Sequence, residues 1–270
     1  MQCPICKEDG ADTVLNCHPT HVLHSECLRI WREVSEVCPI CRASILNWLE
    51  KVTRDGWALR DVPEEMRSDR ICLAAVIQNG YALEFVPKEK RSDELCLMAV
   101  TQNGWALRDV PEEMRSDRNC LAAVIQNGYA LAYVPEEKRT DKLCLVAVTR
   151  EGWALRFVSE EKLTDEICLA AVSQYGNALQ FVPEDKCSEE ICLAAVTQYA
   201  HTLQHVPLEK RSDKLCLVAV TQDGDALRFV PEEKFTDELC LAAVTQYGCT
   251  LKFVPKEKLT DELRRVANRI

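Results

Sequence analysis

The sequence predicts a mainly α-helical chain. A short cysteine- and histidine-rich module, residues 1–42, precedes a capping helix over 43–54 and an α-solenoid of nine 24-residue helical repeats over 55–270. Two observations carry this reading. Eight cysteines, Cys72, Cys96, Cys120, Cys144, Cys168, Cys192, Cys216 and Cys240, recur every 24 residues, whereas six others are confined to the first 41 positions. The chain is also 47% apolar, ample for folded units, yet no apolar run approaches the length of a membrane span.

The front module reads Cys3-x2-Cys6, then Cys17-x3-His21-x2-His24-x2-Cys27, then Cys38-x2-Cys41. Zinc takes four nitrogen or sulfur ligands in a tetrahedron, and pairs two residues apart grip one ion from a tight turn. Eight such ligands imply two zinc ions. Without them, so short a segment with few large apolar side chains lacks a core of its own. His18, directly after Cys17, has little room to turn toward the same ion and reads as a loop histidine.

With these spacings the module resembles a RING finger of the RING-H2 type, although that family more often has one residue where Cys17-x3-His21 has three. The resemblance implies a small cross-brace, two-zinc RING domain with interleaved sites. Cys3, Cys6, His24 and Cys27 would hold one ion, and Cys17, His21, Cys38 and Cys41 the other. It further implies a ubiquitin ligase of the transferase class that acts by positioning, with no covalent intermediate on the chain. Ile5, Trp31, Pro39 and Ile40 would form the apolar groove for a ubiquitin-conjugating enzyme, and Arg42 would bridge that enzyme and its ubiquitin. The alternative is a zinc-stapled scaffold that binds partners without promoting transfer.

Residues 44–54 align with the second half of a repeat such as 140–150, but Glu50 and Lys51 stand where the repeats carry Val or Ala. This predicts a helix with one solvated face, continuous with the repeats. The repeats follow without insertion or deletion, and the first and third differ only at Asp55/Asn103 and Ile71/Asn119, the mark of duplication of a two-repeat block. In each, Ser or Thr followed by an acidic residue reads as a helix N-cap. Leu239, Cys240, Ala243 and Val244 show the helical spacing of the segment that follows. Gly is expected to end that helix in a left-handed conformation. A second, shorter helix is expected up to Val-Pro, where proline stops it. In the last repeat Arg264 and Asn268 replace the periodic Cys and Val, which predicts a terminal cap.

The periodic cysteines read as small buried apolar residues, since equivalent positions on neighbouring helices lie too far apart for a disulfide. The Gly-x-Ala-Leu-x-x-Val-Pro and Asp-x-Leu-Cys-Leu-x-Ala-Val blocks resemble tandem helical repeats of unknown function in secreted effectors of intracellular bacteria. That resemblance implies action in the cytoplasm, the host cytosol for a secreted effector, and the front lacks the long apolar core of a signal peptide.

One position per repeat varies between aromatic and polar: Trp57, Tyr81, Trp105, Tyr129 and Trp153, then Asn177, His201, Asp225 and Cys249. The five aromatics form either a substrate-binding strip or a shield over the seam between repeats. Arg67, Arg91, Arg115 and Arg139 read as a solvated charge ladder of little energetic weight. Cys187 and Cys249 have no neighbouring base in sequence and read as inert. The net charge of −10 excludes a non-specific grip on nucleic acid and favours a basic or neutral protein substrate on the repeats.

Overall fold

The computed structural model describes residues 5, 6, 9–11, 13–15, 18–27 and 48–269; for 13–15 and 18–21 the backbone alone is described. The chain divides into two compact units, Met1–Gln126 and Asn127–Ile270.

In the first unit, strand β1 (Thr13–Leu15) pairs antiparallel with β2 (His18–Leu23), Val14 opposite Val22, with an irregularity between Val14 and Leu15. Val22 and Leu23 are buried, and β2 reaches the Glu64–Met66 turn of the first repeat. Helix Trp48–Arg54 packs on helix Asp69–Gln78 through Val52, which is fully buried, while Glu50 lies exposed. Three repeats follow within this unit. The second unit holds the other six, ending in the short helix Asp261–Ala267, where Arg264 is exposed at the position that elsewhere holds a buried cysteine.

A repeat contains one α-helix, not two. Its ten-residue helix, such as Asp93–Gln102, begins at Ser92, whose hydroxyl accepts from Leu95 N at 3.2 Å. Thr140, Thr164, Ser188, Ser212, Thr236 and Thr260 cap their helices in the same way, as the Ser/Thr-acidic signature predicts. The shorter segment expected to be a second helix is instead a six-residue 3-10 turn, such as Gly80–Phe85, followed by a three-residue one, Lys88–Lys90. An apolar pair three apart satisfies either geometry, but so short a segment before Val-Pro has no room for a regular α-helix. The Asn of Asn-Gly caps this turn: Asn79 Oδ1 accepts from Tyr81 N at 3.0 Å.

The repeat glycines do not adopt the left-handed conformation. Gly10, in the front module, has the positive φ, at 93°. The repeat glycines permit close approach: a Cβ at Gly80 would stand 2.5 Å from the carbonyl oxygen of Ala99, on the helix of the same repeat. Ala99 itself is fully buried, so a small residue faces a missing side chain where the 3-10 turn packs on the helix.

The core repeats as the sequence does. Cys96, Ala99 and Val100 from the α-helix join Ala82, Leu83 and Val86 from the 3-10 turn, all at 0–1% exposure. The eight periodic cysteines are buried free thiols. Burial pushes the thiol pKa of Cys96, Cys168 and Cys216 up to about 11, so they pack as apolar groups.

Candidate metal centre and repeat surface

His24 stands just past the end of β2, and Cys27 one helical turn further on, so the hairpin carries both toward the turn that holds Cys6. Cys6 Sγ lies 3.2 Å from His24 Nδ1 and Cys27 Sγ lies 3.9 Å from it. The three ligand atoms fall within 4.8 Å of one another. Zinc with bonds of about 2.3 Å to sulfur and 2.05 Å to nitrogen would need tetrahedral edges of about 3.5–3.8 Å. The donor set therefore fits zinc in kind and spacing.

The other face of the imidazole fixes its tautomer. His24 Nε2 lies 3.0 Å from the carbonyl oxygen of Asp9, which only accepts, so Nε2 carries the proton and Nδ1 offers its lone pair to the cluster. Gly10, at positive φ, follows Asp9 and turns the chain beneath the ring; a Cβ there would meet Nε2 at 3.8 Å. Sequence reading missed this support because a backbone acceptor has no side-chain signature; the glycine seven residues before Cys17 is its one visible trace.

Three of the four residues expected at one site are thus together, and Cys3 lies outside the described residues. Of the second set, Cys17, Cys38 and Cys41 also lie outside them, and of His21 only its backbone in β2 is described. Ile5 is half-buried beside Cys6, whereas Trp31, Pro39, Ile40 and Arg42 lie outside the described residues.

On the repeats, the aromatic position lies in the seam with an exposed edge. Trp57, 42% exposed, stacks on Tyr81 of the next repeat at 5.7 Å and meets Phe85 edge-on at 5.8 Å. Trp153 likewise meets Phe181 edge-on, at 5.4 Å, and packs tilted on Tyr175, which stands where the second repeat carries Asn79. Tyr81, Trp105 and Tyr129 are half-buried. His201 keeps the edge-on contact, with Phe229 of the next repeat, and stacks on Tyr199 of its own repeat.

The arginine column is not a solvated ladder. Arg67 donates from Nε to Val62 O at 2.9 Å and from Nη1 to Phe85 O, in the next repeat, at 2.7 Å. Arg91 likewise donates to Val86 O, Asp109 O and Glu84 O, and Arg139 to Val134 O and Phe157 O. Arg115 donates to Val110 O and Arg108 O. Arg211, not singled out from sequence, bridges Val206 O and Phe229 O. The planar fork joins carbonyls of successive repeats, which lysine does not reproduce. Where arginine is absent the same place is buried and apolar, as at Leu163, Cys187 and Phe235.

A second clasp uses the last glutamine of the helix. Gln78 Oε1 accepts from Gly56 N at 2.6 Å, and Gln246 both accepts from Gly224 N and donates to Thr221 O. Cys187 is buried with its thiol against Val182 O, which leaves it inaccessible as a nucleophile, whereas Cys249 is exposed.

A family model described as a domain of unknown function, DUF4116, matches residues 48–89, 92–137, 140–185, 164–210 and 212–259. The chain belongs to this family. The DUF4116 matches cover most of the chain and begin at the helix Trp48–Arg54. Shorter similarities reach E3 ubiquitin-protein ligases. The chain is 36% identical over 47 residues to RNF126 of Xenopus tropicalis, 17% of this chain and 15% of that protein. It is 41% identical over 57 residues to rnf8-B of Xenopus laevis, 21% of this chain and 10% of that protein. With RNF115 of Homo sapiens it is 38% identical over 47 residues, 17% of this chain and 16% of that protein. The chain therefore spans less than a fifth of the length of these relatives. No solved structure matches it. No helix among the described residues is long and apolar enough to cross a membrane.

Proposed function

We propose that this chain is a RING-type ubiquitin ligase whose DUF4116 repeats recruit the substrate. The observation that carries the proposal is the convergence of Cys6, His24 and Cys27, with the imidazole held by Asp9 so that Nδ1 faces both thiols. Cys3 completes that tetrahedron, and Cys17, His21, Cys38 and Cys41 form the second, crossed with the first. Bound zinc supplies the folding energy that so small a module cannot draw from a core. The short similarities to E3 ligases support the same reading, their 47 to 57 residues being close to the length of residues 1–54.

In this reading Ile5, Trp31, Pro39 and Ile40 dock a ubiquitin-conjugating enzyme. Arg42 donates across to ubiquitin and holds the thioester in its reactive pose. The repeats stack as an α-solenoid whose exposed aromatic edges, from Trp57 to Trp153, lie on the substrate side. The chain acts in the cytoplasm, or in host cytosol if it is delivered there.

The test is chain formation with a panel of conjugating enzymes. Trp31→Ala and Arg42→Ala should each lose activity while retaining two zinc ions per chain. Retained activity removes that residue from the mechanism. Zinc and conjugating-enzyme binding without any transfer leaves the non-catalytic scaffold instead.

A further inference from the structure

In each of the eight ten-residue helices the residue after the buried cysteine is leucine, from Leu73 to Leu241. Core packing explains the cysteine but not this leucine: Leu73 and Leu121 are 41% exposed and Leu241 is 37% exposed. An unvarying, partly exposed leucine on eight successive repeats calls for another cause.

A groove opens beside it. In the first unit a cavity of about 570 Å³ lies between helices Asp69–Gln78 and Asp93–Gln102, with Leu73, Leu95, Met98 and Met114 as its apolar lining. In the second unit a smaller groove, about 170 Å³, is lined by Leu241 and Leu263. Leu73, Glu94 and Leu95 of the first correspond to Leu241, Glu262 and Leu263 of the second, seven repeats further along. The same groove thus occurs independently in both units.

Its rim is acidic in both. Around the first, Asp69, Glu89 and Glu94 are exposed. Lys90 is turned onto Asp69 at 3.3 Å, and Arg91 is committed to backbone carbonyls. Asp237, Glu238 and Glu262 rim the second, which no basic residue lines. An apolar slot between carboxylates complements an aliphatic side chain flanked by cations. Methionines in the lining suit a slot that accepts more than one such side chain.

We infer that the grooves beside Leu73 and Leu241 dock basic segments of a partner protein, seating a leucine-like side chain between lysines or arginines. This rests on the reading of the repeats as the substrate-recruiting part and gives the substrate its chemistry.

The test is fluorescence polarisation with the full zinc-loaded chain and a labelled helical peptide bearing leucine on one face and lysine on the others. It should bind, weakening as salt rises. Leu73→Ser combined with Leu241→Ser, at exposed positions that leave the core intact, should weaken binding tenfold or more with an unchanged circular dichroism spectrum. Glu94→Lys with Glu262→Lys should do the same. Equal binding of an alanine–lysine peptide or of a leucine–glutamate peptide overturns the inference, as does unchanged binding by the leucine variants. Sedimentation of the wild type supplies one more outcome: self-association abolished by the leucine variants assigns the grooves to a second copy and also overturns it. The assay contains neither ubiquitin nor conjugating enzyme, and Trp31→Ala should bind as the wild type does. A failure of ubiquitin transfer and a failure of peptide docking are therefore separate results.

Discussion

Replacing Arg91 by alanine removes a fork that joins three backbone carbonyls. Nε reaches Val86 O at 2.9 Å and Nη1 reaches Asp109 O in the following repeat, both part-buried, while Nη2 reaches Glu84 O at 3.2 Å at the surface. Hydrogen bonds from a charged donor contribute about 1.5–3 kcal/mol each. Counting the two part-buried bonds and discounting the exposed one for water, the loss should be about 3 kcal/mol, because the carbonyls are left without a donor and a gap opens in the seam. Arg91→Leu should cost about half of that, since Leu163 fills the equivalent place at 4% exposure. Native-state amide exchange read by mass spectrometry reports the local opening. Peptides within 79–126 should exchange about 100-fold faster in Arg91→Ala than in wild type. A change equivalent to less than about 0.5 kcal/mol would refute the bridging role and restore the solvated ladder.

Three further outcomes follow from the same geometry. Asn119 is fully buried with Oδ1 unpartnered, but its Nδ2 donates to Asp93 Oδ1 and Met114 O at 2.8 Å each, so Asn119→Ile, the residue of the first repeat, exchanges two hydrogen bonds for one unpaired oxygen and should change stability by no more than about 1 kcal/mol in urea denaturation. Burial raises the thiol pKa of Cys96, Cys168 and Cys216, so the folded state holds their protons more tightly than the unfolded chain. The stability this contributes is present below about pH 9 and should decline as pH rises toward 11, visible as a falling melting temperature; in the same folded chain Cys249 should react with a thiol reagent well before any of these three. Chelation of zinc should release the Cys6 and Cys27 thiols to titration while helical circular dichroism from the repeats persists, because the repeat cores contain no ligand cluster among the described residues.

The repeat was legible because burial imposes the same residue at the same place nine times: Leu83 and Val86 recur unchanged, and the Ser or Thr before each helix was readable as a cap. What was misread depends on backbone groups distant in sequence. The carbonyl of Ala99 opposite Gly80 makes that glycine a contact residue rather than a helix terminator. The carbonyls of Phe85 and Asp109 make Arg67 and Arg91 bridges rather than a charge ladder. Neither acceptor is encoded by a side chain, and each lies 18 residues from its donor. In the front module the Cys-x2-Cys and His-x2-Cys spacings pointed to the cluster of Cys6, His24 and Cys27. The Asp9 carbonyl that orients His24 left only Gly10 as a trace.

Fork contacts from Arg67, Arg91, Arg139 and Arg211 tie their repeats to the next, and the Gln78 clasp ties a helix to the 3-10 turn of its own repeat. The cluster of Cys6, His24 and Cys27 stands on a hairpin that reaches the first repeat through β2.

The most direct measurement is discharge of ubiquitin from a preloaded conjugating enzyme to free lysine in the presence of the zinc-loaded chain. The account predicts acceleration over the enzyme alone that is lost on zinc chelation and in Arg42→Ala. No acceleration with any conjugating enzyme that binds the chain, while zinc remains bound, would contradict it.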